Sequence, residues 1–270
     1  MDETCRKRRR GRPFHILLKD VFLKAVLPLI ILLAIWQSIA SVAQGISLYD
    51  IASSFMKLAV YGDADGTTLG QHTAISMLRV TMGFGAASVT AIPLGIIIGR
   101  YRAVNMVLSP VIEAMRPIPP IAWIPLSILL FRTNMLGAQV FIIWVGAFFP
   151  ILLNTVAGVK RTSIVHLEVG RTFGATEQQV LSSIILPSAA PEIMAGLRIG
   201  FGIGWMCLVA AEMIGGGLGL GYLVIIAEQL GRTGETISAI LVIGFIGFAI
   251  SYVLLRLEKS LLRWRREVAV

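Results

Sequence analysis

The chain has 270 residues, 56% of them hydrophobic and 14% charged, with a formal net charge of +9. A soluble domain carries about 25% charged residues; here long runs that are apolar on every side replace them, which argues against a soluble enzyme and against the alternating strands of a barrel, and for membrane-spanning helices. The basic residues cluster at the termini and beside the ends of apolar runs, as cytoplasmic flanks do, so the charge points to a lipid bilayer and not to nucleic acid.

Residues 1–20 read as a basic cytoplasmic tail containing Arg6-Lys7-Arg8-Arg9-Arg10, and 21–270 as one transmembrane domain. The first apolar run, 26–43, exceeds the roughly 7–15 residues of a signal core, so it reads as an uncleaved span although Ser41-Val42-Ala43 resembles a cleavage site. A polar stretch with Asp50, Asp63, Asp65 and Gly66 follows on the extracytoplasmic side. Residues 69–79 look like a mixed-polarity lead-in to a second span, 80–99, which ends at Arg100-Tyr101-Arg102. The third run, 104–131, contains Glu113, Arg116, Pro117, Pro119 and Pro120. Proline removes a helix hydrogen bond and clashes with the preceding turn, so this span is expected to be broken.

The fourth span, 138–159, returns to Lys160-Arg161, and the polar loop 160–187 is cytoplasmic. The fifth, 194–214, leads into the glycine run 215–221, a flexible and closely packed turn. Residues 222–236 are outside or re-entrant. The sixth span, 237–255, ends at Arg256, Lys259, Arg263, Arg265 and Arg266. With both basic ends inside, the number of crossings is even, and an all-α protein of about six spans satisfies every flank. Cys5 and Cys207 are too few for a disulfide framework, and His15, His72 and His166 are isolated, so no metal or catalytic role is assigned. Trp36 and Trp264 read as interface or packing residues.

Within the loop, Thr176 and Gln179 fit a capping box. Val180, Leu181, Ile184 and Ile185 share one helical face while Ser182 and Ser183 lie off it, and Pro187 is expected to stop that helix. Glu168 to Phe173 reads as a shorter helix, with Gly174 supplying the turn. Two short helices joined at a glycine suit a partner's groove.

The offsets of Glu168, Gly174, Ile184, Leu186 and Pro187 resemble the coupling motif of ABC importer permeases: Glu-Ala-Ala, three residues, Gly, nine residues, Ile-x-Leu-Pro. Val169 and Gly170 stand where that motif has alanines. Arg116-Pro117-Ile118-Pro119-Pro120-Ile121-Ala122-Trp123-Ile124-Pro125-Leu126 is similar to a segment of taurine and alkanesulfonate permeases, as are Leu186–Ile193 and Ala210–Ile214. The resemblance covers roughly 71–256 and names the nitrate/sulfonate/taurine class. It implies a type I importer permease fold in the cytoplasmic membrane, a second copy of the chain, two ATP-binding subunits and an extracytoplasmic binding protein. It also implies that Glu168, Arg171, Gly174, Thr176, Gln179, Ile184, Leu186 and Pro187 face the ATPase, which holds ATP and Mg. The chain has no Gly-x-x-x-x-Gly-Lys-[Ser/Thr] loop, so hydrolysis belongs elsewhere, and it is expected to be no enzyme and to bind no cofactor. Taurine or an alkanesulfonate is the first substrate expectation, with nitrate and bicarbonate as alternatives.

Glu113, Arg116 and Glu212 are charges in apolar surroundings, each costing at least about 2.5 kcal/mol without a partner. With Pro117, Pro119 and Pro120 they form the candidate translocation pathway. Glu113 and Arg116 are spaced to pair along one helix, or Arg116 pairs with Glu212 across spans. Arg116 then either meets an anion beside the broken helix or fixes the kink through an internal ion pair, the second reading being preferred. Arg198 reads as snorkelling to the interface, and Gly200 with Gly204 as a close-packing pair. An ion-coupled secondary transporter or channel is the alternative function; it uses the same charges but leaves the spacing from Glu168 to Pro187 unexplained.

Overall fold

A computed structural model describes residues 46–262 together with residues 27, 31, 35, 37 and 38. The basic tail, Trp36, Trp264 and the terminal arginines Arg263, Arg265 and Arg266 lie outside the described residues, as does the first span 26–43 apart from those five positions. The chain divides into two compact units, Met1–Ser53 and Ser54–Val270. Apart from the first residues of the helix Leu48–Val60, the elements that follow belong to the second unit.

The helices are α1 (Leu48–Val60), α2 (Leu69–Arg100), α3 (Arg102–Met115), α4 (Ile124–Phe131), α5 (Met135–Lys160), α6 (Ile164–Thr172), α7 (Glu177–Ile214), α8 (Leu220–Gln229) and α9 (Thr233–Leu261), with a 3-10 turn at Pro120–Trp123 before α4. Four of these, α2, α5, α7 and α9, are long and apolar enough to cross a membrane. The pair Arg102–Met115 and Pro120–Phe131, bent by 89°, is apolar enough together to be a fifth, broken span or a re-entrant loop. The bend falls at Pro117, Pro119 and Pro120, where three missing N–H groups make a continuous helix impossible. Residues 69–79 are not a separate lead-in. They are the first turns of α2, started by a capping box between Thr68 and Gln71.

Helix α2 packs on α5 through small residues spaced by four: Gly83, Ala87, Ala91, Gly95 and Gly99. A Cβ added at Gly83, Gly95 or Gly99 would sit 2.6–2.7 Å from the Cβ of Ile143, Thr155 or Val159, which are themselves four or a multiple of four apart on α5. Such matched rows let two backbones approach closely, and dispersion between them substitutes for the hydrophobic drive that lipid does not supply. The Gly200–Gly204 pair does the same inside the chain: Gly200 faces Ile151 and Ala147 of α5, and Gly204 faces Ala147 and Ile143.

Pro187 does not stop a helix, contrary to the sequence expectation. The backbone widens to a π turn over Leu181–Ile185, in which the Leu186 N–H donates to the Leu181 carbonyl five residues back. The wider turn makes room for the proline ring and its missing N–H, and α7 continues unbroken into its span.

Candidate functional site

The loop between α5 and α7 is built by local signals. Gly174 ends α6 with φ of 78° and open space around it. Two residues on, the Thr176 hydroxyl accepts from the Gln179 N–H while the Gln179 side chain accepts from the Thr176 N–H, the expected capping box. Val180 and Ile185 are buried against Val159 and Ala189, and Ser182 and Ser183 face outward, as their helical positions require. Gly170 lies against Ile184, whose Cδ1 would be 2.6 Å from an added Cβ, so a glycine here lets α6 close on α7.

Two arginines hold the start of α7. Arg171 of α6 bonds Glu177 at 3.0 Å, and Arg100, the last residue of α2, bonds the other oxygen of the same carboxylate. These contacts, Arg100 first and Arg171 second, keep the exposed Glu177 carboxyl below the usual glutamate range. One acidic side chain thus ties α2, α6 and α7 together. Against this clamp stands an apolar surface that sequence reasoning did not single out. Ile164 is 70% exposed, Val165 63%, Val169 48% and Phe173 87%. Val165, Val169 and Phe173 are four residues apart and form one stripe. Glu168 and Arg171 flank it, also exposed. The spacing of Val165, Val169 and Phe173 is the sequence signal for it, the same periodicity that marks the Val180–Ile185 face.

At the bend, Glu113 and Arg116 are both exposed. Neither has a side-chain partner among the described residues, so the expected Glu113–Arg116 pair does not form. Nor does Arg116 reach Glu212. Glu212 is fully buried at the far end of α7 and belongs to a separate polar knot.

In that knot Glu212 Oε1 accepts from Arg79 at 2.8 Å, and its carboxylate also accepts from the Ser76 hydroxyl and, at 2.9 Å, from the Gly221 N–H. Ser76 in turn accepts from the Leu220 N–H at 2.9 Å, and Arg79 donates to the Leu218 carbonyl. His72, fully buried, accepts the Gly219 N–H on Nδ1 at 3.1 Å. That bond leaves the proton on Nε2, which faces Asp63 Oδ2 at 3.1 Å. Three residues of one turn, Leu218, Gly219 and Leu220, are therefore pinned to α2 by the side chains of Arg79, His72 and Ser76, which lie three or four residues apart on one helix face, while Gly221 is held by Glu212 of α7. Gly219 has φ of 127°, and a Cβ on it would lie 2.4 Å from the Glu212 carboxyl carbon. The glycine run is closely packed, as expected, and what it packs around is a buried carboxylate. Arg198, partly exposed, pairs with Glu258 of α9 at 3.1 Å. Among the described residues no three His, Cys, Asp or Glu side chains gather as a metal site.

Residues 91–267 match the family described as binding-protein-dependent transport system inner membrane component. The chain is 35% identical to the taurine transport system permease protein of Escherichia coli K12 over 245 residues, 89% of each chain. It is 31% identical to the nitrate import permease protein of a Synechocystis strain over 260 residues, 94% of each. Among solved structures, the inward-facing MetNI methionine ABC transporter aligns with a TM-score of 0.58 at 19% identity, covering 69% of this chain and 91% of that one, a likeness of fold.

Proposed function

The chain belongs to the binding-protein-dependent transport inner membrane components, as an ABC importer permease of the nitrate/sulfonate/taurine class and a multi-pass inner membrane protein, and we propose that it forms the pathway for a small anion and couples it to a separate ATPase through α6 and the first turns of α7. The observation that carries this reading is the exposed stripe Val165, Val169 and Phe173, extended by Ile164, on a loop otherwise rich in polar residues. Apolar side chains grouped in water mark a surface that a partner covers.

The geometry supplies a transmission. A force on α6 reaches Glu177 through Arg171, α2 through Arg100, and the span of α7 through the continuous backbone past Pro187. Closure of two ATP-binding subunits on nucleotide would thus tilt α2 and α7 together. A second copy of the chain completes the membrane assembly, an extracytoplasmic binding protein delivers the anion, ATP and Mg stay on the ATPase, and both termini are cytoplasmic. Taurine or an alkanesulfonate is the first substrate, ahead of nitrate and bicarbonate. The ion-coupled alternative needs Glu212 in a polar path with Arg116, and the oxygens of Glu212 are already taken by Ser76, Arg79 and Gly221.

The test is ATP hydrolysis by the chain reconstituted in lipid with its partner ATPase and binding protein. Stimulation by one loaded form of the binding protein, and not by the others, is the expected result. An assembly that hydrolyses no ATP with any of the four anions contradicts the proposal.

A further inference from the structure

We propose that the small cavity where α4 meets the start of α5 and the end of α7 binds a single water molecule, and that this water is the polar tie holding α4 to the bundle. The inference stands apart from the importer reading above. The cavity measures about 10 Å³ and is lined by Ser127 and Ile128 of α4, Gln139 and Ile142 of α5, and Gly215 just past α7. About 10 Å³ of such space is the lower limit for one water.

Gln139 is an amide only 2% exposed in an otherwise apolar helix, so its polar atoms need partners inside the protein. Its Nε2 donates to the Gly215 carbonyl at 3.1 Å, which fixes the orientation of the amide, since two carbonyl oxygens cannot bond each other. Its Oε1 is buried and has no partner among the described residues. The donors nearby are committed elsewhere. The Ser127 hydroxyl donates to the Ile124 carbonyl at 2.7 Å, and the Gly215 N–H to the Ala211 carbonyl at 2.9 Å. What remains is acceptor capacity: Gln139 Oε1, the lone pairs of Ser127 Oγ and the second lone pair of the Gly215 carbonyl. The occupant must therefore bring protons and be very small. It must also be neutral, because no acidic side chain lines the cavity among the described residues. Water meets all three conditions.

Its two O–H groups answer Gln139 and Ser127, which lie on different helices. Ser127 is the only polar side chain of α4, and its one bond stays within that helix. Otherwise α4 rests on apolar packing, through Ile124 and Ile128 against Ile142, Cys207 and Ala211. Apolar contact is not directional, whereas a bridging water fixes the register of the two helices.

The test exposes the full-length chain in lipid nanodiscs to an X-ray pulse, which makes hydroxyl radicals from bound as well as bulk water, and locates oxidised residues by mass spectrometry. Ile142 and Ile143 are neighbours in α5 and both fully buried, but only Ile142 lines the cavity. Ile142 should be oxidised about tenfold faster than Ile143. Equal rates for the two, high or low, overturn the proposal. Gln139→Met keeps the length of the side chain and removes the acceptor. It should bring Ile142 down to the rate of Ile143 and raise amide hydrogen exchange across α4 but not across α9. Unchanged oxidation of Ile142 in a folded Gln139→Met chain overturns the proposal. If that variant does not fold, the comparison of Ile142 with Ile143 in the wild-type chain decides alone. The melting temperature should be the same in sodium chloride and choline chloride. Stabilisation by sodium that Gln139→Met abolishes assigns the site to a cation and overturns the water.

Discussion

At the start of α2, Arg79 and Glu212 are charged side chains drawn out of solvent and paired with each other, Glu212 also with Ser76 and the Gly221 N–H and Arg79 with the Leu218 carbonyl. At its other end, beside Arg100, the situation is inverted: Ile164, Val165, Val169 and Phe173 are apolar side chains left in solvent with nothing over them. A buried charge that is satisfied within the chain is part of the fold, and its loss is felt as stability. An exposed apolar stripe contributes little to the fold, and its loss is felt by whatever binds it. The two ends should therefore respond to substitution in different observables.

The largest effect is expected in the knot. Glu212→Ala leaves the Arg79 guanidinium buried without its counter-charge and should cost about 3–5 kcal/mol, since breaking one partner of a buried pair strands the other. Thermal unfolding in detergent would show it, and Arg79→Met with Glu212→Met should recover most of the loss. If Glu212→Ala unfolds like the wild type, the knot is not structural. Gly219→Ala comes next, because a Cβ meets the Glu212 carboxyl at 2.4 Å on a backbone at φ of 127°. Strain of this kind is worth about 1–3 kcal/mol. Gly174→Ala, at φ of 78° with open space around it, should cost only about 1 kcal/mol, chiefly for the left-handed backbone. Equal melting temperatures for the two alanine variants would erase the contrast between a wrapped glycine and a free one.

At the other end, Phe173→Asp should change stability by no more than about 0.5 kcal/mol, as exposed substitutions do, while reducing substrate-stimulated ATP hydrolysis by the assembled transporter at least tenfold. A large fall in melting temperature would show that Phe173 serves the fold. The smallest effect concerns the Glu177 clamp. Because its folded carboxyl is held below the unfolded value, its contribution is present above the ordinary glutamate range and is lost as pH falls through the lower folded value. Hydrogen exchange of the amides around Gln179 and Val180 should rise in that acidic window, with no such rise attributable to the clamp in Glu177→Gln. A transition centred at or above the ordinary glutamate value would contradict the Arg100 and Arg171 contacts.

What was legible in the sequence was mostly local. The prolines at 117, 119 and 120 gave away the broken span because each removes a donor at a fixed place, and Thr176 with Gln179 marked a helix start for the same kind of reason. Pro187 misled because the sequence rule ends a helix at a proline, whereas five residues of wider turn absorbed it. The knot was hidden because Arg79 and Glu212 are 133 residues apart and pair only once α2 and α7 are packed. Arg116 seemed the nearer partner along the same logic of intramembrane charge, but hydropathy assigns a depth and not a neighbour. The glycine run looked flexible for want of the one fact that explains it, a carboxylate lying where side chains would go. The Phe173 stripe had a readable period, yet its exposure depends on how α6 is clamped.

Site-directed crosslinking tests the contrast most directly. Phe173→Cys and Leu218→Cys, one at each end, would be treated with a short thiol crosslinker in membranes containing the assembled transporter. The account predicts that the cysteine at 173 captures an ATP-binding subunit, that nucleotide changes the yield, and that the cysteine at 218 captures none. An ATP-binding subunit captured equally from both positions, or only from 218, would contradict it.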